Sequence, residues 1–575
     1  MIDIFPPFVI YIIAALIVPF IPAGRLRSTF MLVIPVVGAW MIWNTPTGLS
    51  AVVPFFGFDL TLMRVDKLAT IFALVFSLAA FLANLYAWHL RDTMQQVAAL
   101  LYAGSAIGAV FVGDLISLFF FWEGTAIASV FLIWARRTEG AFWTGMRYLI
   151  IQIGSGVILI AGVALYYAST GSIGFEAMTL PMTSPITWSA LELGIWMIFL
   201  SFGIKCAFPL LHNWLQDAYP AATVTGTVVL SAFTTKLAVY ALARGFAGTE
   251  ILIYIGAIMT LFPIFYAVIE NDLRRVLAYS LNNQLGFMVV GIGIGTELAL
   301  NGTAAHAFAH ILYKALLFMS VGAVLFRTGT AKGSELGGLY KTMPLTMIFC
   351  CVGAASISAF PLFSGFVTKS LIVSAASKEH YYIIWGILLF ASAGVFHHSG
   401  IKIPYFAFFA HDSGKRPKEA PTHMLLAMGI TAFLCIAVGV FPAPLYELLP
   451  YEVNYENYTT THVITQLQLL MGSALAFTVL TVYKIYPPEL KSVNLDFDWT
   501  YRRFLPAVLR YITFLVSATF GIVTGAINAS AARMVHRLHH SHGPDGSRAA
   551  SWPSGAMVLS IAALLGLALF VIFFS

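Results

Sequence analysis

Ala207-Phe208-Pro209-Leu210 follows Lys205, and Ala359-Phe360-Pro361-Leu362 precedes Lys369. These two copies of one tetrapeptide, each deep in an apolar run and beside a lysine, decide the fold. Pro209 has no N–H to give the carbonyl of Lys205, and its ring disfavours the helix there, so the backbone opens beside that lysine. Pro361 frees the carbonyl of Ile357 in the same way, and Gly365 supplies flexibility four residues before Lys369. Broken backbone at membrane depth is tolerated only where protein or a wet cavity covers it. The second copy lies five spans after the first, so it runs through the membrane in the opposite direction. That is the arrangement of inverted-topology repeats with broken helices at mid-depth.

The surrounding composition is that of a membrane. Of 575 residues, 59% are hydrophobic and 10% charged, where a soluble domain carries roughly 25% charged residues; mean hydropathy is +0.87. The net charge of +6 is scattered through short loops rather than gathered into a basic stripe with interleaved aromatics, which excludes nucleic acid as a partner. Cys206, Cys350, Cys351 and Cys435 lie inside apolar runs with no CxxC or metal-ligand spacing, so neither an iron–sulfur cluster nor a disulfide framework is expected. The chain has no GxGxxG, no GxxxxGK[ST] and no soluble stretch long enough for a nucleotide-binding domain. No cofactor is expected, and the energy for any work comes from an ion gradient or a partner. The first apolar run ends in Pro22-Ala23-Gly24-Arg25 without an AxA site and reads as a retained span.

Counting apolar runs of roughly 18 residues gives about fourteen spans up to residue 446, with two or three more beyond. Arg25/Arg27, Arg91, Arg136/Arg137, Arg274/Arg275, Arg327/Lys332/Lys341 and Lys415/Arg416/Lys418 fall on alternate loops, which the positive-inside rule places in the cytoplasm, with the N-terminus outside. The loops near 169–190, 296–301 and 446–462 lack Lys and Arg, and the last carries Glu447, Glu452 and Glu456. The alternation and the run count agree. The tail fits less well: a sixteenth span near 507–531 is followed by Arg533, His536, Arg537, His539, His540, His542 and Arg548 on a face assigned to the outside. Either that helix lies along the membrane surface or re-enters, or the alternation fails there. The same histidines read as a solvated basic tail or as a metal site.

Glu123, Lys205, Lys236, Lys314 with His306 and His310, and Lys369 stand near the middle of separate apolar runs. Charge at that depth is costly, and the default reading is an ion or proton path. Glu123 is the carboxylate of its span and is expected to pair with Lys205; parting the pair lets Lys205 release a proton toward Lys236. A static ion pair is the plainer alternative. His306, His310 and Lys314 recur every four residues and line one helix face, where a neutral imidazole beside a lysine suits proton hopping. Zinc on the His306/His310 pair lacks a third ligand at a sensible spacing, and helix–helix hydrogen bonding is the bland reading. Asp66, Asp114 and Asp272 sit at span ends, either guarding the path or capping helices.

Phe120-Phe121-Trp122-Glu123, the run Phe208-Pro209-Leu210-Leu211-His212-Asn213-Trp214-Leu215-Gln216-Asp217-Ala218, Arg275-Val276-Leu277-Ala278-Tyr279-Ser280 with Gln284-Leu285-Gly286, His310 and Lys314-Ala315-Leu316-Leu317-Phe318, and Ser364-Gly365-Phe366 with Lys369 together resemble the antiporter-like subunits of Mrp multisubunit Na+/H+ antiporters and respiratory complex I. The resemblance covers about residues 60 to 410 and is closest to the D-type member of the Mrp set, through Lys369. It implies fourteen core helices in two inverted five-helix repeats, with broken seventh and twelfth helices. It makes Glu123 and Lys205 the first half-channel, Lys236 the bridge, and His306, His310, Lys314 and Lys369 the second half. The sequence departs from the family at Tyr219-Pro220-Ala221-Ala222-Thr223-Val224-Thr225-Gly226, at His397-His398-Ser399-Gly400-Ile401-Lys402 and after residue 490.

The expectation is an all-α polytopic protein of a bacterial inner membrane: N-terminal helices 1–94, a first repeat 95–248, a second inverted repeat 249–410, C-terminal core helices 411–490 and an extension 491–575. Its partners are the lipid bilayer, sibling subunits, protons and a monovalent cation. It is read as a secondary-transporter subunit rather than an enzyme. The alternatives are a proton-pumping subunit of a complex I-like NADH-quinone oxidoreductase or of an inorganic-carbon uptake complex. A membrane transferase, a different class, would place its acids and histidines at the interface rather than at mid-depth.

Overall fold

In lipid every backbone polar group must be paired within the protein, so apolar runs of this length become helices. The computed structural model describes residues 5–182, 188–487, 489–490 and 494–574. In chain order come α1 (Pro7–Ile17), α2 (Arg25–Asn44), a hairpin of β1 (Ser50–Phe55) and β2 (Phe58–Arg64), α3 (Lys67–Tyr86), α4 (Thr93–Phe111), α5 (Leu115–Trp134) and α6 (Glu139–Thr170). Next are α7 (Ala190–Cys206), α8 (Asn213–Ala221), α9 (Val224–Ala232), α10 (Thr234–Gly245), α11 (Ile251–Ile269), α12 (Leu273–Ile294) and α13 (Glu297–Thr328). Then follow α14 (Pro344–Ile357), α15 (Ser364–Lys378), α16 (Tyr382–Val395), the short α17 (Lys402–Pro404) between two π-helical turns, α18 (Thr422–Val440), α19 (Ala443–Glu447) and α20 (Thr460–Val482). Two long helices close the chain, α21 (Leu505–His542) and α22 (Ser554–Phe574).

Among the described residues, thirteen helical stretches are long and apolar enough to cross a membrane. The fourteen core spans read from the sequence are α1 to α6, α7/α8, α9/α10, α11, α12, α13, α14/α15, α16 continued to Phe409, and α18. The chain divides into two units, Met1–Asn494 and Leu495–Ser575; the boundary read from sequence at 490/491 falls against residues 491–493, which lie outside the described residues. The second unit contains α21, whose last turn carries His539, His540 and His542, and α22.

The two tetrapeptides take one backbone shape. Ala207 and Leu210 have φ of 60° and 71°, and Ala359 and Leu362 have 56° and 74°. Phe208 N–H reaches back to Gly203 O at 3.0 Å, as Phe360 N–H does to Ala355 O at 3.0 Å. Left-handed geometry at non-glycine residues is uncommon, so its recurrence at matched positions marks the breaks as structural repeats. α9 and α10 are also interrupted, at Phe233 (φ −102°, ψ −68°), a kink that no proline or glycine announces.

Side-chain pairing separates the two ends of the bundle. At the end rich in Lys and Arg, Arg27 bonds Thr93 Oγ1 (2.7 Å), Arg136 bonds Pro220 O (2.7 Å) and Arg274 bonds Pro220 O (3.1 Å). At the other end Arg64 and Arg244 are each neutralised, by Glu176 (2.8 Å) and Asp66 (2.6 Å). Asp66, Asp114 and Asp272 are helix N-caps, accepting from Ala69 N–H (2.8 Å), Ser117 N–H (2.7 Å) and Arg274 N–H (2.9 Å). Gly256 and Gly286 let α11 and α12 touch backbone to backbone, since a Cβ on Gly286 would sit 2.6 Å from Gly256 O.

His89, in the loop after α3, stacks on His423 with ring centroids 4.9 Å apart. Burial, then His423 and Arg91, lowers its pKa to about 4. The unfolded chain, with an ordinary histidine near 6.5, therefore binds more protons between those two values, and stability must fall as pH drops through that window. Thermal unfolding of the purified protein in detergent is expected to show this loss between about pH 6.5 and 4, with a shallower slope in His89→Gln. An unchanged slope would show that His89 does not set it.

Candidate functional site

Each lysine singled out in the sequence is buried and spends its ammonium on a backbone carbonyl. Lys205, in the last turn of α7 before the first break, reaches α5, donating to Trp122 O (2.5 Å) and Thr125 Oγ1 (3.1 Å) and lying 4.4 Å over the Trp122 ring. Lys236, one turn past the Phe233 kink, donates to Ser231 O at 2.6 Å and Thr235 Oγ1 at 3.2 Å. Ser231 is in the last turn of α9, where carbonyls lack an intrahelical donor. Lys314 donates to Leu277 O of α12 at 3.1 Å. Lys369 donates to Ile357 O at 3.0 Å, the carbonyl that the missing N–H of Pro361 leaves free. Ile357 closes α14, so the ammonium also faces the negative end of a helix dipole.

The pairing of Glu123 with Lys205 takes a different form from a direct ion pair. Lys205 is anchored on the backbone of the residue preceding Glu123, and among the described residues Glu123 Oε1 is buried with no hydrogen-bond partner. Glu123 lies against Gly156, where a Cβ would stand 1.5 Å from Oε1, so a glycine makes the room. Trp122 is itself fixed by Ser155 Oγ (3.0 Å), which donates to Ser201 O (3.0 Å) on α7.

In the second half, His306 Nδ1 meets Thr368 Oγ1 at 3.2 Å and Nε2 meets Gln284 Oε1 at 3.2 Å; Tyr313 OH donates to the same Gln284 oxygen at 3.1 Å. Thr368 adjoins Lys369, so His306 ties α12, α13 and α15 together. Both ring nitrogens of His310 are buried without a protein partner among the described residues, and its ring lies 6.2 Å from that of His306. Lys236 is within Coulomb reach of His310 and Lys314 across the bundle. Among the described residues no hydrogen bond passes directly from one of these lysines to the next; the row is a series of separately anchored stations.

Sequence reasoning missed the amide cluster of α12. Gln284 Nε2 donates to Asn283 Oδ1 (2.6 Å), and Asn283 Nδ2 donates to Thr260 O (2.5 Å). Three consecutive amides, Asn282-Asn283-Gln284, in a membrane span were the available signal. It also missed a cavity of about 260 Å³ that reaches Lys369 and is lined by Ser370, Tyr455, Thr459, His462 and Gln466. That lining belongs in part to the acidic loop, at the end opposite the Arg-rich one. Lys402, read in the sequence only as part of a departure from the family pattern, is buried.

A helical membrane bundle with matched broken helices and an internal row of buried lysines has the layout of an antiporter-like subunit. A family model described as "NADH:quinone oxidoreductase/Mrp antiporter, TM" matches residues 112–397. The D-type subunit of a Na+/H+ antiporter from Alkalihalophilus pseudofirmus is 30% identical over 354 residues, covering 59% of this chain and 71% of that relative. The chain belongs to the NADH:quinone oxidoreductase/Mrp antiporter membrane family. Among solved structures, the Mrp complex from Dietzia sp. DQ12-45-1b matches with a TM-score of 0.76 at 22% identity, covering 92% of this chain and 62% of the matched one. A membrane-bound sulfane sulfur reductase, an archaeal respiratory membrane complex, matches with a TM-score of 0.70 at 22% identity over 98% of this chain and 99% of that one. Both neighbours are parts of multisubunit membrane complexes and share the fold.

Proposed function

We propose that this chain is a proton-translocating membrane subunit of a multisubunit monovalent cation (Na+)/proton antiporter in a bacterial inner membrane. The observation that carries the reading is the row of buried lysines, two of them, Lys236 and Lys369, anchored on carbonyls beside helix interruptions, and a third, Lys205, on a carbonyl of α5. A neutral carbonyl dipole accepts a hydrogen bond from the ammonium without supplying a counter-charge, so a proton leaving the lysine changes the charge felt by the next station. Glu123 begins the row with a carboxylate whose buried Oε1 accepts no hydrogen bond among the described residues, which leaves it responsive to the charge state of Lys205. His310, with both nitrogens unspent, is placed to carry protons between Lys236 and the Lys369 end. The cavity lined by Ser370, Thr459 and His462 supports access to Lys369 from the outer face. The finer roles of Glu123, Lys205, Lys236, His306, His310, Lys314 and Lys369 as relay, and of Pro209 and Pro361 as the breaks that support it, belong to this proposal.

Energised everted vesicles carrying the intact assembly test it. Adding Na+ or K+ is expected to release an established pH gradient, read by a pH-sensitive dye. Full assembly with no cation-dependent proton movement would overturn the antiporter reading. The family model also covers subunits of NADH:quinone oxidoreductases, and co-purification of cluster-bearing redox subunits would favour that second reading.

A further inference from the structure

The stretch after α16 departs from α-helical geometry. Phe396–Ile401 and Tyr405–Phe409 are π-helical, with α17 between them. π-turns are often found at functional sites because they re-aim side chains. Here the re-aimed residue is Lys402, whose side chain is 0% exposed. Its ammonium donates to Ala267 O (3.2 Å), Val268 O (2.7 Å) and Glu270 O (2.6 Å) at the C-terminus of α11, and lies 3.0 Å from Glu489 Oε1. Glu489 is 7% exposed and comes from the segment after α20, outside the residues matched by the family model. This segment brings a buried carboxylate to the Arg-rich end of the second half, where Lys402 meets it.

Inward from Lys402 the polar groups continue toward Lys314. His398, four positions earlier, is fully buried, and its Nε2 has no partner among the described residues. Its Nδ1 meets Ser399 Oγ at 2.9 Å, and Ser399 donates to Ser280 Oγ of α12 at 2.7 Å. Ser280 is nearly one turn from Leu277, whose carbonyl holds Lys314, and His398 is within Coulomb reach of Lys314, Lys369 and Lys402. Outward, Glu489 adjoins a charged cluster at the Arg-rich end. Arg275 lies 3.6 Å from Glu270 and 3.8 Å from Asp217, Arg147 lies 4.0 Å from Asp217, and Asn494 donates to Glu270 at 3.1 Å. His397 and Tyr486 stack beside the pair, their rings 5.5 Å apart.

We propose that Lys402 and Glu489 form the proton-exchange pair connecting the second half of the lysine row to the cytoplasmic face, an inference that rests on the proton-translocation reading above. An ammonium at Lys402 that hands its proton to Glu489 leaves a neutral amine and a neutral carboxylic acid. The acid returns to carboxylate by releasing the proton to the cytoplasmic face, and the amine is recharged from the imidazolium of His398, which takes its proton from Lys314. Burial raises the Glu489 carboxyl above its ordinary value against the pull of Lys402, so it accepts a proton more readily than an exposed glutamate. A pure clamp, fastening the chain after α20 to the core, is the competing role, and it needs only charge. Arginine separates the two, because it keeps the charge but does not release a proton in proteins.

Lys402→Arg and Glu489→Gln are tested in the intact assembly in everted vesicles, with subunit content measured alongside cation-dependent proton movement. At equal subunit content each variant is expected to slow transport about 100-fold or more, the scale of a lost proton-transfer group. An inactive wild type would overturn the antiporter reading itself. An active wild type with wild-type rates in Lys402→Arg would overturn the pair and leave a clamp. Where Lys402→Arg fails to assemble, Glu489→Gln decides: a wild-type rate overturns the proposal, and loss of transport in an assembled complex supports it.

Discussion

Lys236→Ala is expected to reduce cation-dependent proton movement by about 100-fold or more, the scale lost when a proton-transfer group is removed, while the assembly persists. The reason is position. Lys236 is within Coulomb reach of Cys206, the neighbour of Lys205, and of His310 and Lys314. On the proposed relay it therefore stands between the two halves, and its loss is expected to interrupt the transfer between them. The structural cost is local: Ser231 O and Thr235 Oγ1 lose a donor, at about 1–3 kcal/mol for an unsatisfied buried carbonyl. Subunit content by immunoblot separates that cost from lost transport. A Lys236→Ala complex transporting at the wild-type rate would exclude a relay through this residue.

Much of this was legible because proline chemistry is local. The missing N–H of Pro361 predicts a free Ile357 carbonyl, and Lys369 is found on it. The repeated Ala-Phe-Pro-Leu predicts two like breaks, and the φ values agree at both positions. What stayed hidden depends on neighbours distant in sequence. The separation of 83 residues between Lys205 and Trp122 carries no record of which atom of α5 the ammonium would choose. A charge-complementarity argument selects the Glu123 carboxylate, whereas packing of Trp122 against Ser155 and Phe202 presents a carbonyl first. The Phe233 kink has no proline or glycine to announce it. Lys402 stands out in the sequence only as a departure from the family pattern, because its significance depends on Glu489 arriving from beyond α20.

The anchoring pattern also gives the breaks a purpose beyond flexibility. An interrupted helix exposes carbonyls that a lysine can bind at mid-depth without a buried carboxylate beside it. Lys236 and Lys369 both use such carbonyls.

Gly365→Ala tests that dependence without touching a titratable group. A Cβ at Gly365 would stand 1.9 Å from Ser356 O, a backbone atom with no rotamer to give. The start of α15 must therefore move away from the end of α14, or the break must open. Overpacking of this kind costs about 1–3 kcal/mol, so the assembled complex is expected to unfold at a lower temperature. The larger effect is on transport, because α14 supplies Ile357 O and α15 supplies both Lys369 and the Thr368 hydroxyl that meets His306. Shifting one helix against the other disturbs both contacts at once, and proton movement is expected to fall about tenfold or more. Gly386→Ala is the matched control, since a Cβ there meets nothing within 4 Å. Transport at the control rate in Gly365→Ala would mean that the carbonyl contact at the second break is dispensable.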